Sequence, residues 1–195
     1  MKKIFILFLF SILIVSCSNE SKKENAEKLY LSAIEAYSNH DMQKAKVLVK
    51  AAEKCDSKFY QAFLLEGKIN FFSEDYELAE KVFSKLCKNH REYTEAKIWL
   101  IRVKILRQDY TSARKLLDRE LSYNSTDWRF YYLYSLLFDK EDNFEEEIVM
   151  LKNAETVLCD ASKVYGQTAH IWDILGVEDR KEFYRHKANI IGELK

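Results

Sequence analysis

The chain has 195 residues, of which 31 are basic and 31 acidic, so its formal net charge is zero. That balance leaves no basic stripe and excludes a nucleic-acid-binding surface. Proline is absent and only four glycines occur, so little interrupts helices.

Residues 1–16 read as a secretory signal peptide. Lys2 and Lys3 form a positive start, and Ile4 to Val15 is an apolar run broken only by Ser11. A membrane span needs ~20 apolar residues, so this run is too short to be one. It ends in Ile14-Val15-Ser16-Cys17, which resembles the lipobox of bacterial lipoproteins. The resemblance implies cleavage before Cys17, a diacylglyceryl group on its thiol and acylation of the new amino terminus. Two or more acyl chains anchor stably, since each buried CH₂ contributes ~0.8 kcal/mol. The chain is then expected in the bacterial cell envelope, joined to the membrane through its lipid. Ser18, where aspartate would retain an inner-membrane lipoprotein, favours the outer membrane, with periplasmic or surface exposure left open. Without residues 1–16 the chain holds 29 basic and 31 acidic residues, a net of −2. Cys17 and the polar stretch to Asn25 (residues 17–25) form a tether.

The folded part, 26–195, repeats itself. Ala45, Ala79 and Ala113 stand 34 residues apart, each preceded by a similar motif: His40-Asp41-Met42, Glu74-Asp75-Tyr76 and Gln108-Asp109-Tyr110. A fourth copy, Glu141-Asp142-Asn143-Phe144, is followed by Glu147 in place of alanine. A fixed period of this length marks stacked helix pairs. After Asp75, the residues Leu78, Ala79, Val82, Phe83 and Leu86 share one helical arc. Asp41, Asp75, Asp109 and Asp142 are placed to accept bonds from free N–H groups at helix starts. Counted from Ala26, Tyr60, Thr94 and Trp128, position eight holds Ala33, Gly67, Ile101 and Ser135. Position twenty-four holds Val49, Phe83, Leu117 and Leu151, and position twenty-seven Ala52, Leu86, Glu120 and Ala154.

Small residues at eight, twenty and twenty-seven with a large apolar one at twenty-four resemble the tetratricopeptide repeat (TPR). The resemblance implies an all-α fold, a right-handed superhelix of about five antiparallel helix pairs. The repeats lie near 26–59, 60–93, 94–127 and 128–161, with a C-terminal pair at 162–195. The fourth is degenerate. In the last pair Ser162-Lys163-Val164-Tyr165 opens the first helix, which Gly176 ends. Phe183, Ile190, Ile191 and Leu194 face one way on the second, whose outer side Arg180, Lys181, Arg185 and His186 supply.

Little in the chain suggests chemistry. Cys55, Cys87 and Cys159 are an odd set, set too far apart for disulfides, and read as small buried thiols. No HExxH, CxxC, GxSxG, P-loop or GxGxxG motif occurs. The acidic cluster from Glu141 to Glu147 reads as a solvated helix start. No enzyme activity, cofactor or metal is therefore expected.

In the resembled family the first helix of each pair lines a concave groove, which positions two, five, nine, twelve and thirteen face. Positions five, nine and twelve, read across the repeats, give an apolar, aromatic wall carrying two positive points. Tyr30, Ile34, Tyr37, Lys68, Phe71, Arg102 and Tyr132 are the candidate peptide-binding residues; packing against the next repeat is the competing role for each. Tyr30 and Ile34 stand where carboxylate-clamp domains have lysine and asparagine, so that sub-class is set aside. The function expected is a protein–protein interaction scaffold holding a peptide segment of an envelope protein. An alternative is a surface-exposed lipoprotein contacting host or neighbouring molecules, and a further one is self-association through an exposed helix of the degenerate end.

Overall fold

The computed structural model describes residues 2–192. The side chains of 2–19, 159, 160, 163, 164, 191 and 192 are outside that description. The expected roles of Cys17, Cys159, Ile191 and Leu194 thus lie outside the described residues. Among the described residues there are nine α-helices and no strand. They are α1 (Lys2–Ser38), α2 (Met42–Cys55), α3 (Tyr60–Phe72), α4 (Tyr76–Asn89), α5 (Thr94–Leu106), α6 (Tyr110–Tyr123), α7 (Trp128–Lys140), α8 (Phe144–Ile174) and α9 (Glu178–Gly192). The chain forms two compact units, Met1–Val103 and Lys104–Lys195.

One turn recurs at the 34-residue period. His40, Glu74, Gln108, Asp142 and Gly176 all have φ between 55° and 70°. The N–H three places after each helix end donates back to the carbonyl five residues earlier: Asp41 to Ala36 (2.9 Å), Asp75 to Asn70 (2.9 Å), Asp109 to Lys104 (2.9 Å), Asn143 to Phe138 (3.0 Å) and Val177 to Trp172 (3.0 Å). This left-handed closure satisfies carbonyls that a helix end would orphan. The next helix then starts on a side-chain cap. Asp41, Asp75 and Asp109 accept from the N–H groups of Lys44, Leu78 and Ser112. In the fourth copy the cap is Asn143, which accepts from Glu146. Asp142, expected to cap, is instead the left-handed residue one place earlier.

A second turn joins each pair to the following one. Asp56, His90 and Asn124 leave the helix with φ of −137°, −132° and −141°. Polar side chains hold it: Asp56 Oδ1 accepts from the Lys58 N–H (2.9 Å) and Asn124 Oδ1 from the Thr126 hydroxyl (3.1 Å). The fourth copy is Leu158-Cys159-Asp160-Ala161, and there the turn is absent. Leu158 has no acceptor with which to compete against the helix, and no proline or glycine enforces a stop. α8 therefore runs unbroken through Ser162, where a new helix was expected to open. The expected tether is helical too, its exposed residues 20–25 forming part of α1 and Lys28 pairing with Glu24 at 2.7 Å.

The small positions do what their size permits. Ala33, Ala45, Ala79 and Ala113 are fully buried, as are Val49, Phe83 and Leu117 at position twenty-four. A Cβ built on Gly67 would stand 2.3 Å from Phe83 Cε1. A glycine inside a helix costs about 1 kcal/mol relative to alanine; here it makes room for the phenylalanine ring. The fourth copy is open, with Leu151 40% exposed. In the second unit the Tyr134 hydroxyl donates to Asp118 Oδ1 at 2.6 Å, and Ser162 Oγ donates to the Ala188 carbonyl at 2.8 Å. Phe183 and Ile190 are exposed rather than inward. The side chains of α9 that meet α8 include Lys181, on Asp173 (3.0 Å), Tyr184, beside Tyr165, and Lys187, over the Tyr165 ring at 5.4 Å. Cys55 and Cys87 are in no disulfide and are half-buried, less enclosed than expected.

Two substitutions measure these constraints. Gly67→Ala is expected to lower unfolding free energy by about 1–3 kcal/mol through overpacking against Phe83. Gln108→Gly should raise it by about 0.5–1 kcal/mol, because the left-handed conformation penalises a Cβ. Urea titration of each variant checks both signs.

Candidate functional site

Trp99 is the centre of the best-defined surface cluster. Glu95, Trp99 and Arg102 fall at i, i+4 and i+7 on α5 and so share one helical face. Lys68, Phe71 and Phe72 come from α3. The indole is 7% exposed. Phe71 and Phe72 meet it edge-on at 5.1 and 5.8 Å between centroids, and Phe83 stacks on it at 6.1 Å. Two cations lie against the same ring, Lys68 Nζ at 5.2 Å and the Arg102 guanidinium at 4.9 Å. The indole N–H donates to Glu95 Oε1 (2.9 Å), which also pairs with Lys68 at 3.3 Å. Lys68 is thus held by a carboxylate and an aromatic face together. Arg102 has no carboxylate partner among the described residues, and its planar donors remain available.

Several expected groove residues gather here. Phe71 touches Trp99 directly, and Tyr37 reaches it through Phe72, 5.9 Å away. Lys68 and Arg102 are the two positive points. Tyr30 lies apart, edge-on to Phe59 at 5.0 Å. Tyr30, Ile34 and Tyr37 are half-buried against the core of α1, α2 and α3, and burial raises the pKa of both tyrosines. These side chains therefore pack as well as face outward. Tyr132 belongs to the second unit, beside Trp128 at 6.2 Å. Sequence reasoning passed over Trp99 and Phe72. Phe72, 51% exposed, occupies position thirteen, a groove-facing position of the resembled family that the candidate set, drawn from five, nine and twelve, leaves out. Trp99 holds position six, outside the set that faces a groove, and only its lateral contacts bring it there.

A second polar feature lies on α2 and α3. Lys50 Nζ bridges Glu66 Oε1 (2.5 Å) and Glu53 Oε2 (3.2 Å). Glu53 is buried, and its Oε1 has no partner. Burial first, and then the adjoining Glu66 carboxylate, push its pKa up to about 7, against the opposing pull of Lys50. No periodicity announces this pair, because buried acids look like surface acids in a sequence. Among the described residues no group of three or more His, Cys, Asp or Glu is placed to hold a metal, and no helix is long and apolar enough to cross a membrane.

No protein-family model matches the chain, and no curated protein does. Solved structures do match. A structure of MamA from residue 41 onward, from Desulfovibrio magneticus RS-1, is 18% identical with a TM-score of 0.61, over 87% of this chain and 94% of that one. TTC0263, a thermophilic TPR protein of Thermus thermophilus, is 14% identical with a TM-score of 0.61, over 84% and 89%. A tetratricopeptide repeat protein from Parabacteroides merdae is 16% identical with a TM-score of 0.62, over 86% and 66%. At such identities the likeness is one of fold, and the fold is all-α and TPR-like.

The raised Glu53 carboxyl makes stability depend on pH. Its proton is held more tightly in the folded chain than at the ordinary value of 4.5. The associated stability is therefore full at low pH and lost as pH rises through about 7. Glu53→Gln cannot titrate, so its melting temperature should fall less than the wild type's between about pH 5 and pH 8. Parallel melting curves for the two proteins would overturn the assignment.

Proposed function

We propose that this chain is a non-enzymatic protein-interaction scaffold of the bacterial cell envelope. A lipid on Cys17 would anchor it, with the outer membrane favoured. The surface around Trp99 would take an extended or helical peptide segment of another envelope protein. The observation that carries this reading is the aromatic cluster of Phe71, Phe72 and Trp99, edged by Lys68 and Arg102. Aromatic and arginine side chains supply most binding energy at protein interfaces. Phe72 presents an open apolar face, and Arg102 offers a two-pronged donor to a carboxylate on the guest. The guest is therefore a segment with an apolar anchor and an acidic residue close by. Protein partners also suit the fold, since repeat stacks present extended surfaces for binding.

Two measurements test the proposal separately. Cys17→Ser should abolish acyl labelling and move the chain out of the membrane fraction, while equal labelling of both chains would remove the anchor. A photoreactive residue at Phe72 in living cells should give a discrete protein adduct that Arg102→Glu reduces about tenfold. An adduct pattern indifferent to Arg102→Glu would rule out this surface as the docking site.

A further inference from the structure

Away from the Trp99 surface, α2, α3 and α4 border an open cavity of about 490 Å³ within the first unit. Its floor is apolar, made by Phe63, Val82 and Leu86. Five lysines line it: Lys46, Lys50, Lys58, Lys81 and Lys85. Lys50 is engaged by Glu53 and Glu66. The other four have no carboxylate partner among the described residues, and Lys85 lies over the Phe63 ring at 5.4 Å. The buried, unpartnered Glu53 Oε1 belongs to the same lining. A cavity of this size takes a few side chains, and the charge around it asks that they arrive with acids.

The second unit carries a segment with those properties. At the start of α8, Phe144, Ile148 and Leu151 stand at i, i+4 and i+7 and form one apolar stripe. All three are exposed, Phe144 to 59%. Helical spacing puts Glu145 on one side of the stripe and Glu147 on the other. Glu145, Glu146 and Glu147 have no basic partner among the described residues, whereas Glu141 is taken by Arg114 and Asp142 lies within electrostatic reach of Lys140. The stripe is open because the turn at 158–161 is missing: the stretch that would begin the next helix continues along α8 instead of folding back.

We infer that the occupant of the cavity is a second copy of this chain, whose acidic α8 start docks its Phe144–Ile148–Leu151 stripe between the lysines of α2 and α4. The chain is nearly neutral overall, yet its unpartnered lysines here sit on one unit and its unpartnered acids on the other. That segregation makes the molecule complementary to its own copy. Cavity and stripe are different surfaces, so each cavity–stripe contact is heterologous. No residue of the Trp99 surface takes part, so this contact and the peptide site stand or fall independently.

The test uses the full chain, co-expressed under two different tags and solubilised from membranes, with the second tag measured after capture of the first. Wild type should capture wild type, and added salt should weaken the capture. Lys81→Glu with Lys85→Glu should cut capture of a like copy about tenfold, and so should Glu145→Lys with Glu147→Lys. A chain carrying all four changes should capture its like again, since both signs are reversed. The two singly reversed chains should capture each other, since their unchanged pair and their doubly reversed pair of surfaces are both complementary. Far-UV helicity of each variant separates lost contact from lost folding. Absence of wild-type capture, or capture indifferent to either reversal, would overturn the inference. So would loss in both reversed chains without recovery in the fourfold variant, an outcome that assigns the cavity to an acidic segment of another protein.

Discussion

Two helices lie close along their length only where side chains are missing from between them. Gly67 shows the constraint at its sharpest, because a single methyl group there would collide with the Phe83 ring. Ala45, Ala79 and Ala113 apply the same rule at the facing helices, and each is completely enclosed. The turn that precedes them follows from it. A pair this close must reverse direction within a few residues, and the left-handed residue at 40, 74, 108, 142 and 176 makes that reversal. Four of these five positions hold residues with a Cβ, so the packed pair evidently outweighs the local strain of about 1–2 kcal/mol. Backbone strain and small side chains are here two expressions of one demand.

The Trp99 surface rests on the same framework. The rigid α3 and α5 hold Lys68 and Arg102 against one indole, where neither has far to move. A cation on an aromatic face loses little further freedom when it meets an anion, and this preorganisation lowers the cost of binding. Lys68 is already neutralised by Glu95, while Arg102 is not. The two basic residues, equivalent in a sequence pattern, are therefore unequal: one positions the indole and the other remains open to a guest.

Much of this was legible from residue spacing. The 34-residue interval gave the helix pairs, the buried alanines and Gly176 as a helix end, since each depends on a side chain's own size or backbone freedom. The cap at Asn143 was misplaced by one residue because Asp142 and Asn143 are both good caps, and only the left-handed φ at 142 distinguishes them. Trp99 was missed because its importance comes from neighbours on another helix, and the Glu53–Glu66 pair for the same reason. Phe183 and Ile190 misled in the opposite direction. Their apolar character suggested an inner face, whereas the side chains that reach α8 are Tyr184, Lys187 on the Tyr165 ring, and Lys181, which meets Asp173 across the helix pair. Long polar side chains cover apolar surface with their stems, and composition alone does not reveal it.

The absent turn at 158–161 illustrates where such a chain tolerates error. Each repeat of a solenoid is stabilised by its neighbours alone. An equivalent change at Asp56 or His90 would withdraw Phe59 or Tyr93, aromatic rings that pack on Tyr30 and Tyr60, and would open the pair on either side. At Leu158 the same loss costs only what the last repeats contribute. The result is one long helix whose first turns keep an apolar stripe that no following helix covers. Such a stripe, flanked by acids, stays soluble while remaining able to pair with a basic surface. A degenerate repeat is then a change of use: sequence that no longer satisfies the stacking rule is free to satisfy another.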